Sequence, residues 1–308
     1  MNKKSKIYIA GHAGLVGGAI LRKLKKEGYS NIVYRTHAQL DLEKDDSVRE
    51  FFKKEKPEYV FLCAARVGGI RDNQTRPAEF IFRNIKIQNN VIDASHTFGV
   101  TKLLFMGSSC IYPRLSKQPI KEEYFMTGPL EPTNEAYAVA KIAGINMCQS
   151  YHKQYGSNFI SVMPANMYGP GDHFHPEKSH VIPGLVRKFD DAKKNSAKEV
   201  VLWGTGSPRR EFIHSDDLAG ASLFLMLNYD KPEIINIGTG EDVSIKNLAN
   251  MLKKITGFKG KIVWDTTKPD GMPRRLLDTS KLRKLGWKHE IDLEKGLTET
   301  YKWYKENI

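Results

Sequence analysis

Tyr137 and Lys141 stand four residues apart in the run Glu135-Ala-Tyr-Ala-Val-Ala-Lys-Ile-Ala-Gly144. On a helix that spacing puts phenol and ammonium on one face, one turn apart. A tyrosine titrates near pH ~10 in water, too high for an acid–base group at neutral pH. A cation beside it favours the phenolate, so the pair predicts a Tyr137 whose pKa is lowered by Lys141 and which exchanges a proton with a substrate oxygen. Pro132, Asn134 and Glu135 fit the start of the helix that would carry both. Alone, the spacing is common, and in most helices such a pair serves packing and solvation.

The start of the chain gives the pair a context. Lys6-Ile-Tyr-Ile-Ala10 reads as a buried strand, Gly11-His-Ala-Gly14-Leu-Val-Gly17 follows at once, and Ala19, Ile20, Leu21 and Leu24 recur at helical spacing. Glycines in a strand–turn–helix let the backbone approach a pyrophosphate at the helix N-terminus, so the loop predicts a dinucleotide cofactor. Asn31–Arg35 is the expected second strand. Its end carries Arg35-Thr-His37 and no acid, which suits the extra phosphate of NADP; Asp41-Leu42 is placed to meet the adenine end.

The elements that follow repeat strand and helix. Tyr59–Ala65 is an apolar strand that releases Arg66-Val-Gly-Gly69 at its C-terminal end. Pro77–Phe98 is a long helix, Lys102–Gly107 a strand delivering Ser108-Ser109-Cys110, and Asn158–Met163 a fifth strand. Five such units predict a doubly wound parallel α/β sheet. The pattern breaks at Pro164-Ala-Asn166-Met167-Tyr-Gly-Pro-Gly171, and shorter units follow. The expected division is a dinucleotide-binding domain over 1–165 plus about 212–240, and a substrate lobe over about 166–211 and 241–308. The cleft between them is the expected substrate site.

Composition narrows the class. The 308 residues hold 40% hydrophobic and 27% charged side chains, ordinary for a soluble globular protein. No apolar run approaches the ~20 residues that span a bilayer, and Ile7–Ala10 is too short for a signal-peptide core, so the chain reads as cytoplasmic with no membrane partner. Cys63, Cys110 and Cys148 form no C-x-x-C pair, which argues against disulfides and zinc; His173-Phe-His175 lacks a third ligand, so no metal is expected. The net charge of +13 is scattered rather than blocked, which favours anionic small molecules over nucleic acid.

Taken together, the glycine loop, Ser108 and Tyr137-x-x-x-Lys141 resemble the extended short-chain dehydrogenase/reductase family, over nearly the whole chain. Gly107-Ser-Ser-Cys-Ile-Tyr-Pro113, Ser179-His-Val-Ile-Pro183 and Lys268-Pro-Asp-Gly271 resemble those members that epimerise and reduce a nucleotide sugar. The resemblance implies an NADPH-dependent conversion of GDP-4-keto-6-deoxy-D-mannose to GDP-L-fucose, in a homodimer joined through the Pro77–Phe98 and Tyr137 helices. In that reading Tyr137 protonates the sugar C4 oxygen, Lys141 holds the nicotinamide ribose, and Ser108 hydrogen-bonds the C4 oxygen. Cys110 and His180 are the base and acid for inversion at C3 and C5.

By the same resemblance the cofactor lies along Gly11, His12, Ala13, Gly14, Leu15, Val16 and Gly17, then Arg35, His37, Asp41 and Leu42. Further along it meets Ala64, Ala65, Met106 and Gly107, then Pro164, Ala165, Asn166, Met167 and His180. Lys188, Trp203, Arg210 and Asp270 are the implied substrate contacts. Two positions depart from the family pattern: Ala13 and His37 stand where basic residues are common, which predicts weaker recognition of the 2′-phosphate. Two other readings fit parts of the pattern, a 4-epimerase or 4,6-dehydratase of the same fold and a non-catalytic sensor of NADP. Such an epimerase would hold NAD tightly and recycle it, a dehydratase would need an acid–base pair in place of Ser109-Cys110, and a sensor would need no Ser108, Tyr137 and Lys141 set.

Overall fold

Every side chain of Ile7-Tyr-Ile-Ala10 is buried, as a central strand covered on both faces requires. This is β1 (Ile7–Ala10) in a computed structural model that describes residues 1–176, 179–268 and 270–308. Pro269 of the Lys268–Gly271 motif and the side chain of Ile70 lie outside the described residues. With β2 (Ile32–Val33), β3 (Tyr59–Leu62), β4 (Lys102–Met106), β5 (Phe159–Pro164) and a later strand, β9 (Ile235–Ile237), it forms a six-stranded sheet in the order β2-β1-β3-β4-β5-β9. All pairings in it are parallel.

Helices α1 (Leu15–Lys26), α2 (Asp45–Glu55), α3 (Ile70–Thr75), α4 (Pro77–Thr97), α5 (Glu135–Tyr155) and α7 (Ser215–Asn228) flank the sheet. Here α4 packs on α2 and α5, and α1 packs on α7. Right-handed crossovers put α1 on the opposite face from α2, α4 and α5, because the chain steps one way from β1 to β2 and the other way from β2 onward; α7 takes its place by packing on α1. The strand order therefore reverses between β1 and β3, where an open α/β sheet binds its ligand.

One expectation changes: the second strand stops at Val33 instead of Arg35, while the run Ile234–Gly238, read from its residues as another buried strand, joins the parallel sheet as β9. β2 is an edge strand paired only with β1. Past Val33 side-chain contacts govern the path: Tyr34 lies against the His12 ring at 4.5 Å, and Arg35 turns to Glu55.

The remaining elements surround β8 (Arg209–His214). It pairs with β6 (Asn166–Tyr168), β10 (Asp242–Ser244) and β12 (Arg274–Arg275), while β7 (Glu199–Trp203) and β11 (Lys261–Asp265) form a separate parallel ladder. Helices α6 (Val181–Lys194), α8 (Ile245–Thr256) and α10 (Leu293–Asn307) cover this part, and α9 (Ser280–Lys284) packs on β9.

Buried apolar side chains fall into two clusters. The larger spans the parallel sheet and also takes Leu277 and Leu282; the smaller includes Tyr168, Phe189, Leu248 and Leu297. Adjacent residues of β8 divide between them, Phe212 in the smaller and Ile213 in the larger. Glu211, just before, is buried; its Oε1 accepts from Gly240 N at 2.7 Å and its Oε2 from Leu277 N at 2.8 Å. One carboxylate thus ties β8 to the segments that follow β9 and β12. Burial pushes its pKa up to about 7, against the pull of those N–H donors.

Candidate active site

The first three elements meet at the glycine loop. Gly11 has φ +89°, and a Cβ there would lie 2.7 Å from Ala64 N, so only glycine lets the turn after β1 touch the segment after β3. A Cβ on Gly17 would lie 2.1 Å from Gly11 O. Gly14 N donates to Gly11 O at 3.1 Å, and α1 begins directly after Gly14 with no side-chain cap. Unpaired N–H groups at that helix start suit a pyrophosphate. Ala13 and Gly14 are exposed, His12, Leu15 and Val16 half-buried, and His12 Nδ1 is buried with no hydrogen-bond partner. A cradle that a Cβ would fill, plus an unsatisfied ring nitrogen, fits a dinucleotide.

The edge reading needs one correction. The end of β2 has no acid in sequence, but α2 supplies one in space: Arg35 Nη2 donates to Glu55 Oε1 at 2.6 Å. His37 is well exposed, with Nδ1 3.9 Å from Asp41 Oδ1, and Asn90 Nδ2 holds Leu42 O at 2.9 Å. Ala64 and Ala65 are half-buried past β3, Met106 and Gly107 buried at the end of β4, and Pro164 and Ala165 buried at the end of β5, leading into half-buried Asn166 and Met167. These segments follow parallel strands and so emerge at one edge of the sheet.

The chemical group sits at the same edge. Ser108 follows β4, and its Oγ accepts from Cys110 N at 3.3 Å, which closes the short turn Ser109–Ile111. Helix α5 packs on that turn. It carries Tyr137 and Lys141, and Phe80 of α4 meets the Tyr137 ring edge-on at 6.2 Å. Lys141 is buried, and its Nζ donates to Met106 O at 2.7 Å.

The electrostatics depart from the expected phenolate. Burial raises the Tyr137 pKa, and the neighbouring Cys110 raises it further. Burial also lowers Lys141 to about 8. The Nζ lies 5.8 Å from the centre of the Tyr137 ring, and its recorded hydrogen bond goes to the end of β4. Burial raises the Cys110 thiol too, and Ser108 and then Arg275 pull it back down.

Elements outside the six-stranded sheet carry the other candidates. His180 precedes α6, is exposed, and has its pKa lowered by the protein around it and then by His173. Lys188 is exposed on α6, with partial desolvation lowering its pKa. Trp203 ends β7 and is 69% exposed, a free indole face. Arg210 Nη1 donates to Met272 O at 2.6 Å, and burial followed by the like charge of Arg275 lowers its pKa to about 10. Asp270 accepts from Thr205 N at 2.9 Å and from Thr205 Oγ1 at 2.6 Å, so its carboxylate props the turn after Trp203.

Three residues come into view only with the fold. Arg275 on β12 is the cation beside Cys110, beyond Asp270, the last candidate site residue of the sequence reading. Glu131 pairs with Arg114 at 3.3 Å and lowers neither cation: it favours the charged forms of Arg210 and Arg275. Glu55 is the third. By contrast, a cavity of about 680 Å³ lined by residues between Pro113 and Pro132 includes none of the catalytic candidates. Chemistry, not concavity, locates this site.

The chain is similar to known proteins over nearly its whole length. GDP-L-fucose synthase 1 of Arabidopsis thaliana is 56% identical over 307 residues, covering 100% of this chain and 95% of that protein. GDP-L-fucose synthase of Escherichia coli K12 is 51% identical over 313 residues, covering 99% and 98%. The solved structure of a GDP-mannoheptose C4 reductase from Campylobacter jejuni with NADP bound superposes with a TM-score of 0.91 at 46% identity, covering 99% of each chain. Residues 7–238 match the family model described as the NAD dependent epimerase/dehydratase family, and the chain belongs to that family.

Proposed function

We propose that this chain is an NADPH-dependent enzyme that inverts C3 and C5 of GDP-4-keto-6-deoxy-D-mannose and then reduces C4, yielding GDP-L-fucose. The observation that carries the reading is the placement of Tyr137 and Lys141 by α5 against the Ser108–Cys110 turn at the end of β4. A 4-keto group acidifies the hydrogens on both neighbouring carbons, so one base and one acid serve both inversions through an enolate. Cys110 is the base and His180 the acid. Tyr137 and Ser108 donate to the C4 oxygen and stabilise the charge that develops there.

Reduced NADP supplies a hydride when bound. The Gly11–Gly17 loop, the Arg35 edge and Asn166 orient it, and Lys141 meets its ribose. Tyr137 then delivers the proton that completes the C4 hydroxyl. Its raised pKa keeps the phenol protonated until the substrate oxygen takes the proton, and reduction removes the carbonyl that made the neighbouring hydrogens acidic. The lobe built on the smaller core holds the nucleotide, with Trp203 stacked on guanine, Lys188 and Arg210 on the diphosphate, and Asp270 beside them.

The reading extends to a cytoplasmic homodimer. Phe82 of α4 is 59% exposed and Val139 of α5 38% exposed, an apolar surface on the two long helices. Among the described residues no helix is long and apolar enough to cross a membrane. Mixing the protein with NADPH and the 4-keto sugar nucleotide should consume NADPH stoichiometrically, and NMR should identify GDP-L-fucose. A product retaining the C3 and C5 configurations, or no NADPH loss, would refute the assignment.

A further inference from the structure

Arg35 is the cation that the sequence offers to a 2′-phosphate, and its guanidinium is already engaged. Nη2 donates to Glu55 Oε1 at 2.6 Å, Nη1 donates to Tyr34 O at 2.8 Å, and its face lies over the Phe51 ring at 5.6 Å. The Arg35 side chain is 35% exposed and Glu55 only 16%. Lys6 Nζ stands 3.5 Å from the other Glu55 oxygen. Ala13 brings no charge from the loop, and His37 points to Asp41.

A phosphate brought to Arg35 shares the guanidinium with a carboxylate of its own sign, and like charges at short range oppose each other. An acid at the end of the second strand is also the group that accepts a hydrogen bond from an unphosphorylated ribose 2′-hydroxyl. Helix α2 delivers that acid here, 20 residues beyond Arg35 in the chain.

We propose that Glu55 sets the cofactor preference of this enzyme: by holding Arg35 in an ion pair it weakens recognition of the 2′-phosphate and lets the site accept the unphosphorylated dinucleotide. The inference rests on the assignment of Arg35 to the 2′-phosphate.

Calorimetric titration with NADP⁺ and NAD⁺ tests it without turnover. Glu55→Gln should raise the ratio of the NAD⁺ to the NADP⁺ dissociation constant about two- to fivefold, the range for releasing a part-exposed ion pair. Lys6→Gln removes the other contact to the same carboxylate and should not raise the ratio. Arg35→Gln should bring the ratio close to unity. An unchanged ratio in Arg35→Gln would show that the phosphate is read elsewhere. If that variant abolishes the preference while Glu55→Gln leaves it unaltered, the role given to Glu55 is wrong. Should Glu55→Gln fail to fold, Glu55→Asp withdraws the carboxylate by one methylene and must shift the ratio in the same direction.

Discussion

Lys141 Nζ is bound to Met106 O at 2.7 Å while standing 5.8 Å from the centre of the Tyr137 ring. The lysine thus anchors the catalytic helix to the sheet. Its charge is buried with one backbone oxygen as recorded acceptor, which accounts for a pKa near 8.

That burial has a pH signature. The folded-state pKa lies below the unfolded value of 10.5, so the folded form binds fewer protons between about 8 and 10.5. This group's contribution to stability therefore rises as pH rises through that window and is unfavourable below it. Lys141→Met should gain stability over the parent at pH 7, and the gain should shrink toward pH 10. Paired chemical denaturations at the two pH values measure it. A gain that grows with pH would contradict the buried charge.

The two halves of the reaction should separate by mutation. Tyr137→Phe should slow NADPH consumption by about 10²–10⁴-fold, the usual contribution of a positioned acid. Cys110→Ser in deuterated water should slow the wash-in of deuterium at C3 and C5 by a similar factor while leaving NADP binding intact. Wild-type deuterium exchange in that variant would remove Cys110 as the base.

Arg275 should act through the Cys110 thiol. Burial raises the thiol pKa and Arg275 lowers it. Arg275→Gln should therefore move the thiolate absorbance midpoint to higher pH and slow alkylation of Cys110 at pH 8, and Arg275→Lys should restore much of both. A midpoint that does not move would leave Arg275 a purely structural contact.

The glycine loop tolerates no side chain at its tightest point. A Cβ on Gly17 would lie 2.1 Å from Gly11 O, inside a helix start packed on β1. Gly17→Ala should destabilise the protein by about 1–3 kcal/mol, the cost of overpacking a tight site, and weaken NADP binding. Thermal unfolding and calorimetry check both. An unchanged melting temperature with unchanged affinity would mean the loop relaxes freely.

Much of the fold follows from local pattern. Short apolar runs bounded by turns, such as Leu103–Met106, read as central parallel strands, and the four-residue spacing of Tyr137 and Lys141 holds on α5. The short strands β6, β10 and β12 and helix α3 escape such reading, because two to six residues carry no usable period. Register against β8 forms the three strands, not their own composition.

Chemistry divides the same way. Residue types and spacing alone determined the glycine loop, the Tyr137–Lys141 helix and the Ser108-Ser109-Cys110 turn, since each depends on neighbours within a few positions. Tertiary structure decided the charges. Glu55 reaches Arg35 from helix α2, Arg275 reaches Cys110 from strand β12, and burial moves Tyr137 and Lys141 opposite to what spacing suggests. Solvation and Coulomb interactions depend on distance through space, and distance along the chain does not encode them.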